Sequence, residues 1–416
     1  MSKISVVVSC PIDTYSGYGG RSRDLIRALL QSGKYDVKVL SQRWGSTRFG
    51  YLEHHNEREL EATIVSSITA KPDVWIQITV PNEFQAIGKY NIGITAGMET
   101  TVCAPGWVEG CNRMDLILTS SKHSKETFER SQFTIEDNGQ VKGSIELQKP
   151  IEVLFEGVDI TKYFPTSSNL DLSGIQEDFA FLFVGHWLQG DFGQDRKNVG
   201  YMVKAFLEVF KNKKKQPALI LKTQSANASI LDRDQILKKI DEIRATVEGT
   251  LPNIYLLHGE ISDEEINQLY NHSKVKAMVS FTKGEGFGRP LLEFSTVNKP
   301  IIASNWSGQV DYLDPELSVL VDGTLTNVHS SAVVKDMILA EAEWFSPSDI
   351  KATAALREVY DNYKKYAELA KRQGYKSRTV YNLDSMANRL DEILSKYLPE
   401  FPKEVALTLP KLQKID

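Results

Sequence analysis

Short apolar runs recur along the chain, and each gives way to a glycine or polar turn and then to residues spaced for a helix. Residues 4–9, 36–40, 74–79, 91–95, 115–119 and 151–154 read as strands in the first part. Residues 179–184, 218–222, 254–257, 277–280 and 300–303 do so in the second. Near-continuous apolar runs of this length belong to strands covered on both faces, as in a parallel sheet. Helical spacing lies between them. Residues 21–31 put Leu25, Ile26, Leu29 and Leu30 on one face, and Gly33 stops that helix. Residues 121–130, 199–210 and 230–247 follow the same pattern, and 348–372 and 383–397 close the chain. Strand and helix alternate in both halves, which predicts two parallel sheets covered by helices. Asn138-Gly139, between alternating residues in 133–149, predicts an inserted hairpin. The polar run 166–177 predicts a linker, with domains at 1–170 and 171–375.

The stretch 280–312 carries the most chemistry. An apolar run ending at Ser280 leads to Gly284-Glu285-Gly286-Phe287-Gly288, and Pro290 suits the first turn of a helix, where its missing N–H would be unpaired anyway. Gly286 and Gly288 let backbone approach a ligand, and the helix from Pro290 aims free N–H groups at it, so an anion, above all a phosphate, is expected there. Glu285 and Glu293 frame this turn with seven residues between them. Like charges keep two carboxylates off a diphosphate, so they suit neutral hydroxyls, to which they make strong hydrogen bonds. A nucleotide-sugar, with phosphates in the middle and hydroxyls at both ends, fits that layout. A plain helix start with capping acids is the simpler reading of the same residues.

EGFGRPLLE, from Glu285 to Glu293, resembles the E-x7-E signature of retaining glycosyltransferases of the GT-B fold, family 4, the group that includes glycogen synthases and mannosyltransferases. The resemblance implies two Rossmann-like α/β domains whose parallel sheets face each other across a cleft. It also implies that the last helices, about 376–416, cross back onto the first domain. The nucleotide-sugar would lie mainly on the second domain and the acceptor on the first. Donor contacts carried over from the family are Gly286, Phe287, Gly288, Arg289 and Glu293 in the motif and Gly185-His186 after strand 179–184. His258-Gly259, where relatives hold the nucleobase through backbone, and the pair Gly19-Gly20, which the family places beside the donor, complete them. Relatives have Arg where His186 stands and a later Lys, which Lys197 matches; Arg196 is the candidate for the missing guanidinium. Lys197, Arg196, Glu285 and Glu99 form the implied catalytic set. Cations are needed because the departing nucleotide diphosphate gains charge as the sugar bond breaks. Glu99 falls at the carboxyl end of strand 91–95, where relatives contact the sugar, although their common histidine is absent; capping the helix from Pro105 is equally open to it. Gln309 replaces a glycine of relatives. Family chemistry is front-side attack, with the leaving phosphate oxygen taking the acceptor proton, and no cofactor besides the co-substrate.

Arg43-Trp44 opens a loop rich in Trp, Arg, Phe and Tyr. With Gly97 and Glu99 it is the candidate acceptor surface, or else a loop packed on its own aromatics. The segments SCPIDTYSGYGGRSRDLIRALL and SQRWGSTRFGYL look similar to glycosyltransferases of T-even-like phages, some of which modify hydroxymethylated cytosine in DNA. A net charge of −5 gives no global attraction to nucleic acid or to an anionic membrane. A glycan, glycolipid or protein acceptor therefore stands at least level with modified DNA. A non-catalytic GT-B scaffold that binds a nucleotide-sugar is the rival from another class.

Asp232-Arg233-Asp234 has the spacing of a metal-binding DxD but sits in a helical segment, so it reads as surface charge and no metal is expected. His123 likewise reads as a surface residue. Cys10, Cys103 and Cys111, with no C-x-x-C among them, read as reduced thiols of a cytoplasmic protein. The first apolar run stops at Pro11, too short for a signal peptide or a membrane span, and no other segment is long enough to cross a bilayer. The oligomeric state has no signature in the sequence.

Overall fold

The computed structural model describes residues 3–137, 140–225 and 228–401. The first sheet holds β1 (Ile4–Cys10), β2 (Tyr35–Ser41), β3 (Val74–Ile78), β4 (Tyr90–Ile94) and β5 (Leu116–Thr119). An antiparallel hairpin, β6 (Phe133–Asp137) and β7 (Gln140–Ile145), is inserted before β8 (Ile151–Val153) closes the sheet. Its turn, Asn138-Gly139, lies outside the described residues. The order is β2-β1-β3-β4-β5-β8 and every pair is parallel.

The second sheet repeats the plan with β9 (Ala180–His186), β10 (Ala218–Gln224), β11 (Ile254–Leu257), β12 (Val275–Ser280), β13 (Ile301–Ser304) and β14 (Val319–Val321). Its order is β11-β10-β9-β12-β13-β14, again all parallel. In each sheet the winding reverses at the first strand, beside β1 in one and beside β9 in the other. Such switch points open a crevice at the carboxyl ends of the strands, where α/β proteins take ligands. The two α/β domains expected from the alternation of strands and helices are therefore present.

Side chains on both faces of β1 are buried. Val6 and Val8 enter one core with Leu25, Leu29 and Ile76, and Val7 enters another with Trp75, Phe84 and Ile117. The helix Leu383–Tyr397 brings Met386, Leu390, Ile393 and Leu394 into the first of these cores, so this helix packs on the N-terminal sheet. A bridge between Val158 and Asn382 marks the crossing.

Several local outcomes differ from the sequence reading, β14 among them. The first helix starts at Gly17, not Arg21, because Ser16 caps it by accepting from Gly19 N–H; the expected glycine loop is mostly helix. The segment 348–372 divides at Asn362 into helices Asp349–Asp361 and Tyr363–Val380. A hairpin of β15 (Gly323–Asn327) and β16 (Glu343–Pro347) was not anticipated, since a short run such as GTLTN lacks the apolar alternation of a strand. Among the described residues no helix is long and apolar enough to cross a membrane.

Candidate active site

The loop after β12 meets the loop after β4 directly. A Cβ on Gly284 would lie 2.0 Å from the Glu99 carbonyl oxygen, and one on Gly286 would lie 2.5 Å from that of Ala96. Ser120 Oγ donates to Gly286 O at 3.0 Å across the same seam. Gly286 was expected to make room for a ligand; here the space is filled by backbone of the other domain. Gly288 has φ 88° and leads into the helix Arg289–Ser295, and Tyr312 OH donates to its carbonyl at 2.6 Å. Phe287 turns into the core under the loop.

Glu285 is buried at this seam and faces two cations. Lys197 Nζ is 2.5 Å from its Oε1, and Arg196 Nη1 is 3.5 Å from its Oε2. Arg196 also donates to Gly284 O at 2.9 Å and lies 3.5 Å from Glu99 Oε1. Glu99 thus reaches into the seam, whereas the helix at Pro105 has no side-chain cap. Burial alone would raise the Glu285 carboxyl, but the Lys197 and Arg196 charges outweigh it and hold it below the usual carboxylate range. Local folding sets the two cations. Asn198 takes the left-handed conformation at φ 55°, the helix Val199–Phe210 follows, and buried Asp195 accepts from Val199 N–H at 3.1 Å. This turn fixes where Arg196 and Lys197 emerge.

Glu293 belongs to a second buried cluster. Arg289 Nε lies 3.1 Å from its Oε1, and the same guanidinium reaches Asp24 at 2.8 Å and Glu156 at 3.8 Å in the other domain. Arg21 sits 3.6 Å from Glu156 and donates to Leu154 O at 2.9 Å. Arg289, expected on the donor, is thus held in an ionic clasp between domains. Burial pushes the Glu293 carboxyl up to about 7, against the pull of Arg289 and with Asp263 and Asp24 adding to the rise. Gly20 faces this clasp, since a Cβ there would lie 3.4 Å from Arg289 Nη1. Gly19 instead packs on Thr14, whose carbonyl oxygen would be 2.3 Å from its Cβ.

At the strand ends of the second sheet, His186 Nδ1 lies 3.1 Å from Ser225 O. Burial depresses the His186 pKa, and Lys197 and Arg196 depress it further, against the bond to Ser225. Gly185 precedes it in contact with Phe183. His258 Nε2 lies 2.7 Å from Asp232 Oδ2, so its ring is held by a neighbouring helix. Asp232 is buried, which corrects its reading as surface charge, while Asp234 is exposed and pairs with Arg233. Gly259 has φ 98°, and its carbonyl accepts from Lys222 Nζ at 2.6 Å.

On the acceptor side, Trp44 stacks on Tyr18 at 3.9 Å, and the Arg43 guanidinium lies 5.6 Å from the Phe49 ring. The loop therefore packs on aromatics while Arg43 stays exposed. Tyr18 OH accepts from Ala96 N–H at 3.1 Å, which ties this loop to the seam. Gly97 is required by the helix Lys122–Arg130, because a Cβ there would fall 1.9 Å from Ser124 Oγ. His123, expected at the surface, is half-buried. It packs edge-on against Trp306 at 4.4 Å, and burial lowers its pKa to about 4.

The structure therefore brings Lys197, Arg196, Glu285 and Glu99 together, and gathers Arg289, Glu293 and Gly20 in an adjoining clasp. Arg43 and Trp44 belong to the aromatic loop that Tyr18 ties to the seam. Sequence reasoning missed Arg21, Asp24 and Glu156, whose partners lie more than a hundred residues away; only the charge of a GGRSRD run entering an apolar helix hinted at them. Among the described residues no group of three His, Cys, Asp or Glu side chains is placed to hold a metal ion.

Residues 194–372, which include Arg196, Lys197, Glu285 and Glu293, match the family described as Glycosyl transferases group 1. No curated protein matches the chain. Among solved structures, it is similar to sucrose-phosphate synthase of Thermosynechococcus elongatus, at 13% identity over 95% of this chain and 99% of that one, with a TM-score of 0.64. It is similar to HepE of Anabaena in complex with UDP and glucose, at 14% identity, 94% and 100% coverage and a TM-score of 0.60. The lipopolysaccharide outer core galactosyltransferase WaaB gives 14%, 94% and 99%, and 0.56. At these identities the likeness is one of fold, and that fold is GT-B.

Proposed function

We propose that this glycosyltransferase takes its sugar from a UDP- or GDP-linked donor and transfers it, with retention, to an acceptor hydroxyl presented by the N-terminal domain. The observation that carries the reading is the convergence of Lys197 and Arg196 on Glu285, with Glu99 supplied by the opposite domain. The family match over 194–372 supports glycosyl transfer, and the donor class is supported by the UDP and glucose held by the similar HepE structure.

In this reading the bond from the anomeric carbon to the diphosphate oxygen stretches first. Negative charge grows on the leaving oxygen, and the Lys197 ammonium, which has three N–H donors, meets it without leaving Glu285. The acceptor oxygen bonds to the same face of the anomeric carbon, and its proton passes to the leaving phosphate oxygen. Glu285 accepts from a sugar hydroxyl and Glu293 from the ribose hydroxyls. Side-chain cations carry the charge, so turnover is expected to persist in EDTA. The acceptor class stays with the alternatives above: glycan, glycolipid, protein or modified DNA.

Proton NMR of the first-formed product tests the stereochemistry. An anomeric configuration equal to that of the donor supports the reading, and an inverted product overturns the retaining mechanism.

A further inference from the structure

We propose that Asp232 is a positioning residue for the nucleotide end of the donor, holding His186 and His258 in place through one buried carboxylate. The proposal rests on the donor reading above. Three adjacent strands, β11, β10 and β9, end side by side. His186 is the last residue of β9, Ser225 follows β10, and His258 follows β11. Asp232 ties two of these ends directly and reaches the third, at His186, through Ser225. Its Oδ2 lies 2.7 Å from His258 Nε2, and its two oxygens accept from Ser225 N–H at 3.3 and 3.1 Å. The carbonyl of that same Ser225 lies 3.1 Å from His186 Nδ1.

The atoms fix the tautomers. A carboxylate and a carbonyl only accept, so His258 Nε2 and His186 Nδ1 each carry the hydrogen. Both rings are thereby set in orientation and in which nitrogen remains to accept. Asp232 stays ionised, because the bonds from Ser225 and His258 outweigh its burial. A helix cap would direct its carboxylate to first-turn N–H groups. That task falls to Ser229, whose Oγ accepts from Asp232 N–H at 3.1 Å. Asp232 is left to face the strand ends. The turn it holds is pinned again by Lys222 Nζ on Gly259 O at 2.6 Å.

The test is Asp232→Asn in the full chain, with UDP and GDP as calorimetric probes and steady-state kinetics on the donor that is turned over. Nucleotide affinity is expected to fall about tenfold, the scale of one charge-assisted hydrogen bond. Donor KM should rise in step, with turnover at saturating donor and acceptor KM unchanged. Asp234→Asn should match the wild type throughout. In the wild-type chain, nitrogen NMR of labelled histidines should show the His186 and His258 resonances moving when UDP or GDP is added. Unmoved resonances would overturn the proposal even if the variant failed to fold. Wild-type nucleotide affinity in Asp232→Asn, with affinity still lost in Glu293→Ala, overturns this inference and leaves the donor site intact. Affinity retained in both variants overturns the donor reading itself. Equal losses in turnover and donor affinity would mark Asp232 as merely structural and also overturn the proposal.

Discussion

Lys197 and Arg196 share one carboxylate, and that sharing has a measurable consequence. Each cation holds Glu285 ionised in a buried seam, so removing either leaves the other, among the described residues, as its remaining ion-pair partner. Single changes to Ala should therefore understate the loss in Lys197→Ala/Arg196→Ala, with a coupling of about 0.5–3 kcal/mol in transition-state free energy. Strict additivity in kcat/KM would show that the two cations act on separate groups. Glu293 gives a pH prediction. Its folded pKa of about 7 lies above the ordinary 4.5, so the native state holds a proton that the unfolded chain has released. Its contribution to stability is present below about 4.5 and is lost as pH climbs to about 7. The melting temperature of the wild type should fall relative to Glu293→Gln across that window; parallel curves would contradict the assignment. Lys197 entered only through the family resemblance, whereas the turn framed by Glu285 and Glu293 was legible in the sequence because a strand, glycines and a helix start follow one another there. Asp232 was not, because its neighbours in sequence are exposed charges and only the folded strand ends reveal its partners.

The element that decides the seam is the loop between β12 and the helix Arg289–Ser295. Its glycines read as ligand-facing in the sequence, and a glycine-rich turn cannot by itself say which surface comes close. In the structure the close surface is backbone of the first domain, at Ala96 and Glu99. Gly284→Ala places a methyl group 2.0 Å from a carbonyl oxygen, so the loops must separate. The cost should be about 1–3 kcal/mol, the usual range for overpacking, and turnover should fall with it because Glu99 moves away from Arg196. Thermal unfolding and kinetics check this, and a fully active Gly284→Ala enzyme would show that the seam is open during catalysis. The β15–β16 hairpin is the clearest element the sequence hid. Thr101 N–H bonds the Glu343 carbonyl across the domains at 2.9 Å, so this hairpin also braces the seam. Its strands were too short and too polar to announce themselves, whereas the parallel strands did so through unbroken apolar runs.

At the scale of the whole molecule, two sheets are joined by a returning C-terminal helix and by an ionic clasp centred on Arg289. Arg289 is the cation that Asp24, Glu156 and Glu293 share in this buried site, and without it Glu156 keeps Arg21 and Asp24 keeps Arg27 while Glu293 loses its neighbouring charge. Arg289→Met should therefore loosen the contact between the domains, read as faster amide exchange at 96–99 and 284–288 than in the wild type. Unchanged exchange there would remove Arg289 from the closure. The two-domain plan was legible from the chain's alternation of apolar runs and helical faces, but the closure was not, because it rests on pairs far apart in sequence. Nucleotide-sugar turnover by this chain is expected to depend on Lys197. The most direct measurement is release of UDP or GDP from a panel of their sugars, without acceptor, by the wild type and by Lys197→Ala. The wild type should hydrolyse at least one donor slowly, and Lys197→Ala should do so about 10²–10³ times more slowly. No release and no binding of any nucleotide-sugar, or equal rates in the two proteins, would contradict it.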